Sequence, residues 1–153
     1  MLGLSDLQMA WRIGEGPGQA KFRKGKLYVV PMPNRSYRRD QTVSLYFEAY
    51  GLTKDAFGQT DYRVTYILRR APRKGVRLFG SLSSAVGWLF APEDEEVGIA
   101  YERQGTEDWE RLNVEVDPEK VRSGLNEVEV TLEDHKAGKR VAKRAVFQLS
   151  DEK

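Results

Sequence analysis

Apolar and polar residues alternate along most of this chain. Leu7, Met9, Trp11 and Ile13 take turns with Asp6, Gln8, Ala10 and Arg12. A period of two places one set of side chains on each face of an extended segment, so the run predicts a half-buried strand. Gly14-Glu15-Gly16-Pro17-Gly18 interrupts it, and Leu27 to Val30, closed by Pro31 and Pro33, predicts the next strand. The clearest run is Val43 to Tyr50. There Val43, Leu45, Phe47 and Ala49 point one way, and Ser44, Tyr46, Glu48 and Tyr50 the other. After a connection from Gly51 to Thr60, with Gly58 at its turn, Tyr62, Val64, Tyr66 and Leu68 resume the period. These two runs predict neighbouring strands joined by a long hairpin.

Pro72 to Gly75 punctuates the chain, and Val76 to Phe90 has only a weak alternation through Val86, Trp88 and Phe90. The period returns in Val97, Ile99 and Tyr101, and again in Leu112, Val114 and Val116, with a turn between Gly105 and Asp108. Asp117-Pro118-Glu119-Lys120-Val121 predicts one short helical turn, with Asp117 as cap and Pro118 in the first helical position. Val128, Val130 and Leu132 then alternate with glutamates and a threonine. Asp134 to Gly138 turns the chain, and Val141, Lys143, Ala145, Phe147 and Leu149 share one face of a last strand. That pattern is a β-hairpin. Only Asp151 to Lys153 reads as a loose tail.

The fold expected is therefore all-β: an immunoglobulin-like antiparallel β-sandwich of about eight strands, occupying residues 1–153 as a single domain. Its expected core is Leu7, Met9, Trp11, Val43, Leu45, Phe47, Val64, Tyr66, Ile99, Val114, Val128, Val130, Leu132, Val141 and Phe147. The length of 153 residues suits one domain, large enough to bury a core without staples.

Composition removes several function classes. There are no cysteines, so disulfides, thiolate metal sites and cysteine nucleophiles are excluded. The 25 basic and 23 acidic residues leave a net charge of only +2, too balanced to point to nucleic acid. No run approaches the roughly 20 apolar residues that span a bilayer. Charge is clustered locally in a basic stretch (Arg69, Arg70, Arg73, Lys74, Arg77) and an acidic one (Glu93 to Glu96), both read as solvated loops.

Catalytic spacing is not found. The single histidine, His135, lies in the Asp134–Gly138 turn and is read as exposed structure. A phosphate loop ending at Gly25-Lys26 would need glycine where Ala20 stands and a hydroxyl residue where Leu27 stands. Gly80-Ser81-Leu82-Ser83-Ser84 is no nucleophile elbow, and the acidic stretch lacks calcium-loop spacing. The expectation is a non-enzyme with no cofactor and no metal. Arg35, Tyr37, Arg38 and Arg39 interleave cations with an aromatic residue, as nucleic-acid surfaces do, but fall between strands and are read as a loop. Tyr46, Glu48 and Tyr50 share one strand face and are the candidate ligand-binding residues, suited to a sugar. The competing expectation is ordinary cross-strand packing of tyrosines.

Two segments carry a resemblance. One runs from Val30-Pro31-Met32-Pro33-Asn34-Arg35-Ser36-Tyr37 through Leu45-Tyr46-Phe47-Glu48-Ala49-Tyr50-Gly51-Leu52 to Gly58-Gln59-Thr60-Asp61-Tyr62-Arg63-Val64-Thr65-Tyr66. The other is Gly124-Leu125-Asn126-Glu127-Val128-Glu129-Val130-Thr131-Leu132-Glu133-Asp134, followed by Arg140 and Phe147. Together, over roughly residues 4–149, they resemble the C-terminal β-domain of bacterial GWxTD-domain proteins. The naming motif itself is absent: Gly87-Trp88-Leu89-Phe90 does not match it. Asn126 also stands where the family's hairpin has tyrosine, which puts a tyrosine-corner hydrogen bond in doubt. The resemblance implies an immunoglobulin-like sandwich cut from a larger, exported bacterial protein, and no catalytic residues. The expected role is a protein-interaction or assembly module, with protein as partner. The alternative is a carbohydrate-binding module that takes glycan on the Tyr46–Tyr50 face.

Overall fold

The computed structural model describes residues 1–71 and 97–152. The Val76–Phe90 run, the Glu93–Glu96 loop and the basic residues Arg73, Lys74 and Arg77 lie outside them. The described residues form eleven strands: β1 Gly3–Leu4, β2 Gln8–Glu15, β3 Arg23–Lys24, β4 Leu27–Pro31, β5 Ser36–Arg38, β6 Val43–Tyr50, β7 Thr60–Arg70, β8 Val97–Gly105, β9 Trp109–Val116, β10 Gly124–Asp134 and β11 Lys139–Ser150. Eight of them have five residues or more, which matches the sequence count. The two-residue and three-residue strands β1, β3 and β5 carry too few alternations to show a period.

Two sheets pack face to face. In the first, β6 pairs with β9 along one side and with β1 and β2 along the other, and β4 and β3 follow β2. In the second the order is β5-β11-β10-β7-β8. All pairs are antiparallel except β5 with β11. The β10–β11 hairpin holds register from Gly124↔Leu149 to Asp134↔Lys139.

The alternation fixes what fills the space between the sheets. Val43, Leu45, Phe47 and Ala49 of β6 meet Tyr62, Val64, Tyr66 and Leu68 of β7, Val128, Val130 and Leu132 of β10, and Ala145, Phe147 and Leu149 of β11 in one buried cluster. Tyr37 ties the sheets together. Its ring meets Phe147 edge-on at 6.0 Å, and its hydroxyl donates to the Ala10 carbonyl at 2.7 Å. Asn126 is buried and donates from Nδ2 to the carbonyls of Arg122 and Gly124, at 2.9 and 3.1 Å. Local polar turns also form as expected. Asp117 accepts from the Glu119 amide ahead of the short helix Pro118–Lys120, and Gly58 takes a positive φ of 76°.

Several expectations change. Strands β6 and β7 are not neighbours. The connection between them crosses from one sheet to the other, anchored by buried Leu52, whose amide donates to the Asp108 carbonyl. Trp11 is exposed rather than buried. The β2–β4 register shifts between Ala10 and Arg12, and such a bulge breaks the alternation at that residue. Ile99 is exposed too, because among the described strands β8 is the outermost of its sheet. Val141 is only partly buried but packs on the core. Asp151, expected in a loose tail, is held by Arg39 at 2.8 Å.

Candidate interaction surfaces

The cross-strand register sets the outer face of the first sheet. Glu48 sits opposite Arg111, and Tyr50 opposite Trp109. Tyr46, expected to be exposed, is buried at 3%. It packs with Ala10 and Val29 in a second small apolar cluster, flanked by Ile13 and Leu27. The turn between β3 and β4 comes over this face: a Cβ on Gly25 would stand 2.7 Å from Arg111 Nη1. With Tyr46 buried in that cluster, Tyr50 is the exposed tyrosine of the predicted pair, at 39%.

The Glu48 carboxylate is fully occupied. The Tyr46 hydroxyl donates to Oε1 at 2.6 Å, the Tyr50 hydroxyl donates to Oε2, and Trp109 adds a further side-chain hydrogen bond. Partial burial works to raise the Glu48 pKa, but these bonds and the Lys24 charge outweigh it and hold the carboxyl below its ordinary range. The Tyr46 hydroxyl is pushed well above its ordinary value by burial, and further by the bond to Glu48. Tyr50 is raised first by its hydrogen bond to Glu48.

Trp109 and Arg111 were not singled out by sequence. Trp109 is 37% exposed, its ring within 11° of parallel to Tyr50, with centroids 6.5 Å apart. The Arg111 guanidinium lies 3.9 Å from the Trp109 centroid, a cation–π contact that occupies one ring face. The signal was there, since Trp109, Arg111, Asn113 and Glu115 alternate with Leu112, Val114 and Val116. Only knowledge that β9 pairs with β6 brings Trp109 to Tyr50.

The second surface is the flank of β8. Among the described residues, no strand pairs with its outer side. Ile99 and Tyr101 lie opposite Tyr66 and Val64, so they share the core-side face of the sheet, yet are exposed at 42% and 39%. The Tyr101 ring sits 6.0 Å from Tyr66. The Tyr66 hydroxyl is pushed up to about 12, by burial first and then by Tyr101.

The remaining candidates are absorbed into the structure or placed elsewhere. Arg38 forks onto Asp40 with two contacts of 3.1 Å. Arg39 bonds the carbonyls of Pro118 and Val121, Ser123 and Asp151. Arg69 lies 3.4 Å from Glu127 and 3.3 Å from Glu129. His135 is not a bare turn residue: Asp61 and Glu102 stand beside it. Among the described residues, no helix is long and apolar enough to cross a membrane. No protein-family model matches the chain, and no curated protein matches it either.

Proposed function

We propose that this domain is a non-catalytic protein-interaction module of a larger bacterial envelope or secreted protein, and that it takes an extended segment of a partner protein along β8. The observation that carries this reading is the β8 flank. Among the described residues, it combines an open ladder edge with two exposed apolar side chains spaced two residues apart on one face. An added strand is held by main-chain hydrogen bonds, while pockets and ridges at alternate positions select its side chains. Many sandwiches blunt such edges with charge or proline; here Arg103 supplies charge at one core-side position, while Ile99 and Tyr101 before it leave the face apolar. The resemblance to GWxTD C-terminal domains supports the wider setting.

The glycan alternative keeps Tyr50 but loses most of its face. A sugar needs an open ring and free polar groups beside it. Tyr46 is covered, both Glu48 oxygens are taken, and Arg111 lies on Trp109.

The test places a photo-crosslinking residue at position 99 or 101 in the chain expressed in its native host, with position 113, on the other sheet, as control. A discrete protein adduct at 99 and at 101 but not at 113 is expected, with the adduct at 99 lost when Tyr101→Lys is added. Adducts at neither flank position, or slow hydrogen exchange of the outward β8 amides in the isolated chain, would overturn the reading. A glycan array bound through Tyr50, with no protein adduct, would replace it with the alternative.

A further inference from the structure

We propose that Asp61, Glu102 and His135 form a surface binding site for a zinc-class divalent ion. The three residues come from three separate elements: the start of β7, the body of β8 and the turn between β10 and β11. One ligand atom from each lies within 4.8 Å of the others. His135 Nδ1 is 3.4 Å from Asp61 Oδ1 and 3.7 Å from Glu102 Oε2. Zinc bonds of about 2.0–2.1 Å in a tetrahedral shell put neighbouring donor atoms about 3.3–3.4 Å apart. The two spacings made by His135 are therefore close to those of such a shell, and the third, between the carboxylates, lies within 4.8 Å.

The surroundings orient these groups. Arg63 donates from Nε to Glu102 Oε1 and leaves Oε2 turned toward His135. The His135 amide donates to the Asp61 carbonyl at 3.0 Å, which pins the turn to the start of β7. Outer partners of this kind fix the direction of metal ligands. Lys136, next in the turn, is drawn away to Asp55 at 2.9 Å. The donor set also selects the ion. An imidazole with two carboxylates suits zinc and its transition-metal neighbours, whereas calcium and magnesium prefer all-oxygen shells.

The chain has one histidine and no cysteine, so zinc binding through imidazole has a single possible source. The test is a calorimetric titration of the untagged chain with zinc chloride in a non-chelating buffer. One saturable site per chain is expected, weakened at least tenfold in His135→Ala and also in Glu102→Gln. In the wild type the His135 ring resonances should shift with the same midpoint. Calcium and magnesium at equal concentration should not displace the metal. Absence of saturable binding would overturn the proposal, as would binding that His135→Ala leaves unchanged or displacement by calcium. Far-ultraviolet circular dichroism of both variants without metal guards against a folding defect. If His135→Ala unfolds, Glu102→Gln decides alone.

Discussion

Asp134 shows how one side chain can carry a connection. Its residue is 1% exposed, and its carboxylate accepts from three backbone amides: Thr53 at 2.9 Å, Lys136 at 3.0 Å and Ala137 at 3.2 Å. It thus closes the β10–β11 turn and holds the β6–β7 connection against it. Burial works to raise its pKa, but the bonds from Thr53, Ala137 and Lys136 prevail and the value falls below the ordinary one. Asp134→Ala is expected to cost about 1.5–3 kcal/mol, the range for hydrogen bonds to a charged group, read as a lower urea midpoint. The sign with pH follows from the depressed folded value. The contribution is complete above the unfolded carboxyl pKa of about 3.9 and is lost as pH falls through the folded value. Wild-type stability should therefore drop below about pH 4, with a shallower drop in Asp134→Asn. Equal slopes would remove Asp134 from the account. Alternation named Asp134 only as a turn residue, because its partner at Thr53 comes from a segment 81 positions away. By contrast Phe47 and Val130 were legible from alternation alone, since an apolar residue in phase with its neighbours needs no named partner to be buried.

At the scale of elements, the period of two tells which face a residue takes, not which sheet holds the strand. Strands β6 and β7 are consecutive and both alternate cleanly, yet they belong to opposite sheets. The same limit hid the candidate surface. Tyr46, Glu48 and Tyr50 were correctly placed on one face, but the β2 and β4 residues that pack on Tyr46 and the strand that brings Trp109 to Tyr50 are distant in sequence. Gly51 marks where the crossing begins. Its φ is +69°, and a Cβ there would stand 2.2 Å from the Met1 carbonyl oxygen. A side chain pays for the left-handed conformation with about 1–2 kcal/mol, and the contact is with the Met1 backbone, so the segment leading into β1 must shift to admit it. Gly51→Ala should therefore release β1 from β6, with the Gly3↔Tyr50 and Leu4↔Ala49 pairs lost first. Hydrogen exchange is the measurement: faster exchange confined to β1 and the end of β6 is expected. Unchanged protection there would show that the close approach has slack.

Over the whole molecule, the core uses tyrosines where many sandwiches use aliphatic residues, and this gives the fold an alkaline limit. Tyr37 and Tyr62 are among its largest fully buried side chains. Burial pushes both hydroxyls well above the ordinary value, with the Glu110 carboxylate adding to the effect at Tyr62 through a 2.8 Å bond. Tyr46 is raised in the same way on the outer face, and Tyr66 reaches about 12. Each of these groups is kept protonated by the fold more strongly than by the unfolded chain. Their stabilising contribution is complete below the unfolded tyrosine pKa of about 10, and fades as pH rises through the folded values. Four such groups drawn from β5, β6 and β7 cannot ionise independently while the sheets stay packed. The chain should hold its β-sheet signal to about pH 10 and then lose it as the buried hydroxyls ionise together. Tyrosinate absorbance near 295 nm, followed alongside far-ultraviolet circular dichroism, should rise over the same narrow interval in which the sheet signal is lost. Tyr62→Phe removes one ionisable hydroxyl and leaves the Glu110 carboxylate without its donor, so it should move the midpoint to higher pH while lowering stability at neutral pH. A broad tyrosine titration centred at the ordinary value, with the sheet signal intact, would contradict the burial of these hydroxyls and with it the packing of the two sheets.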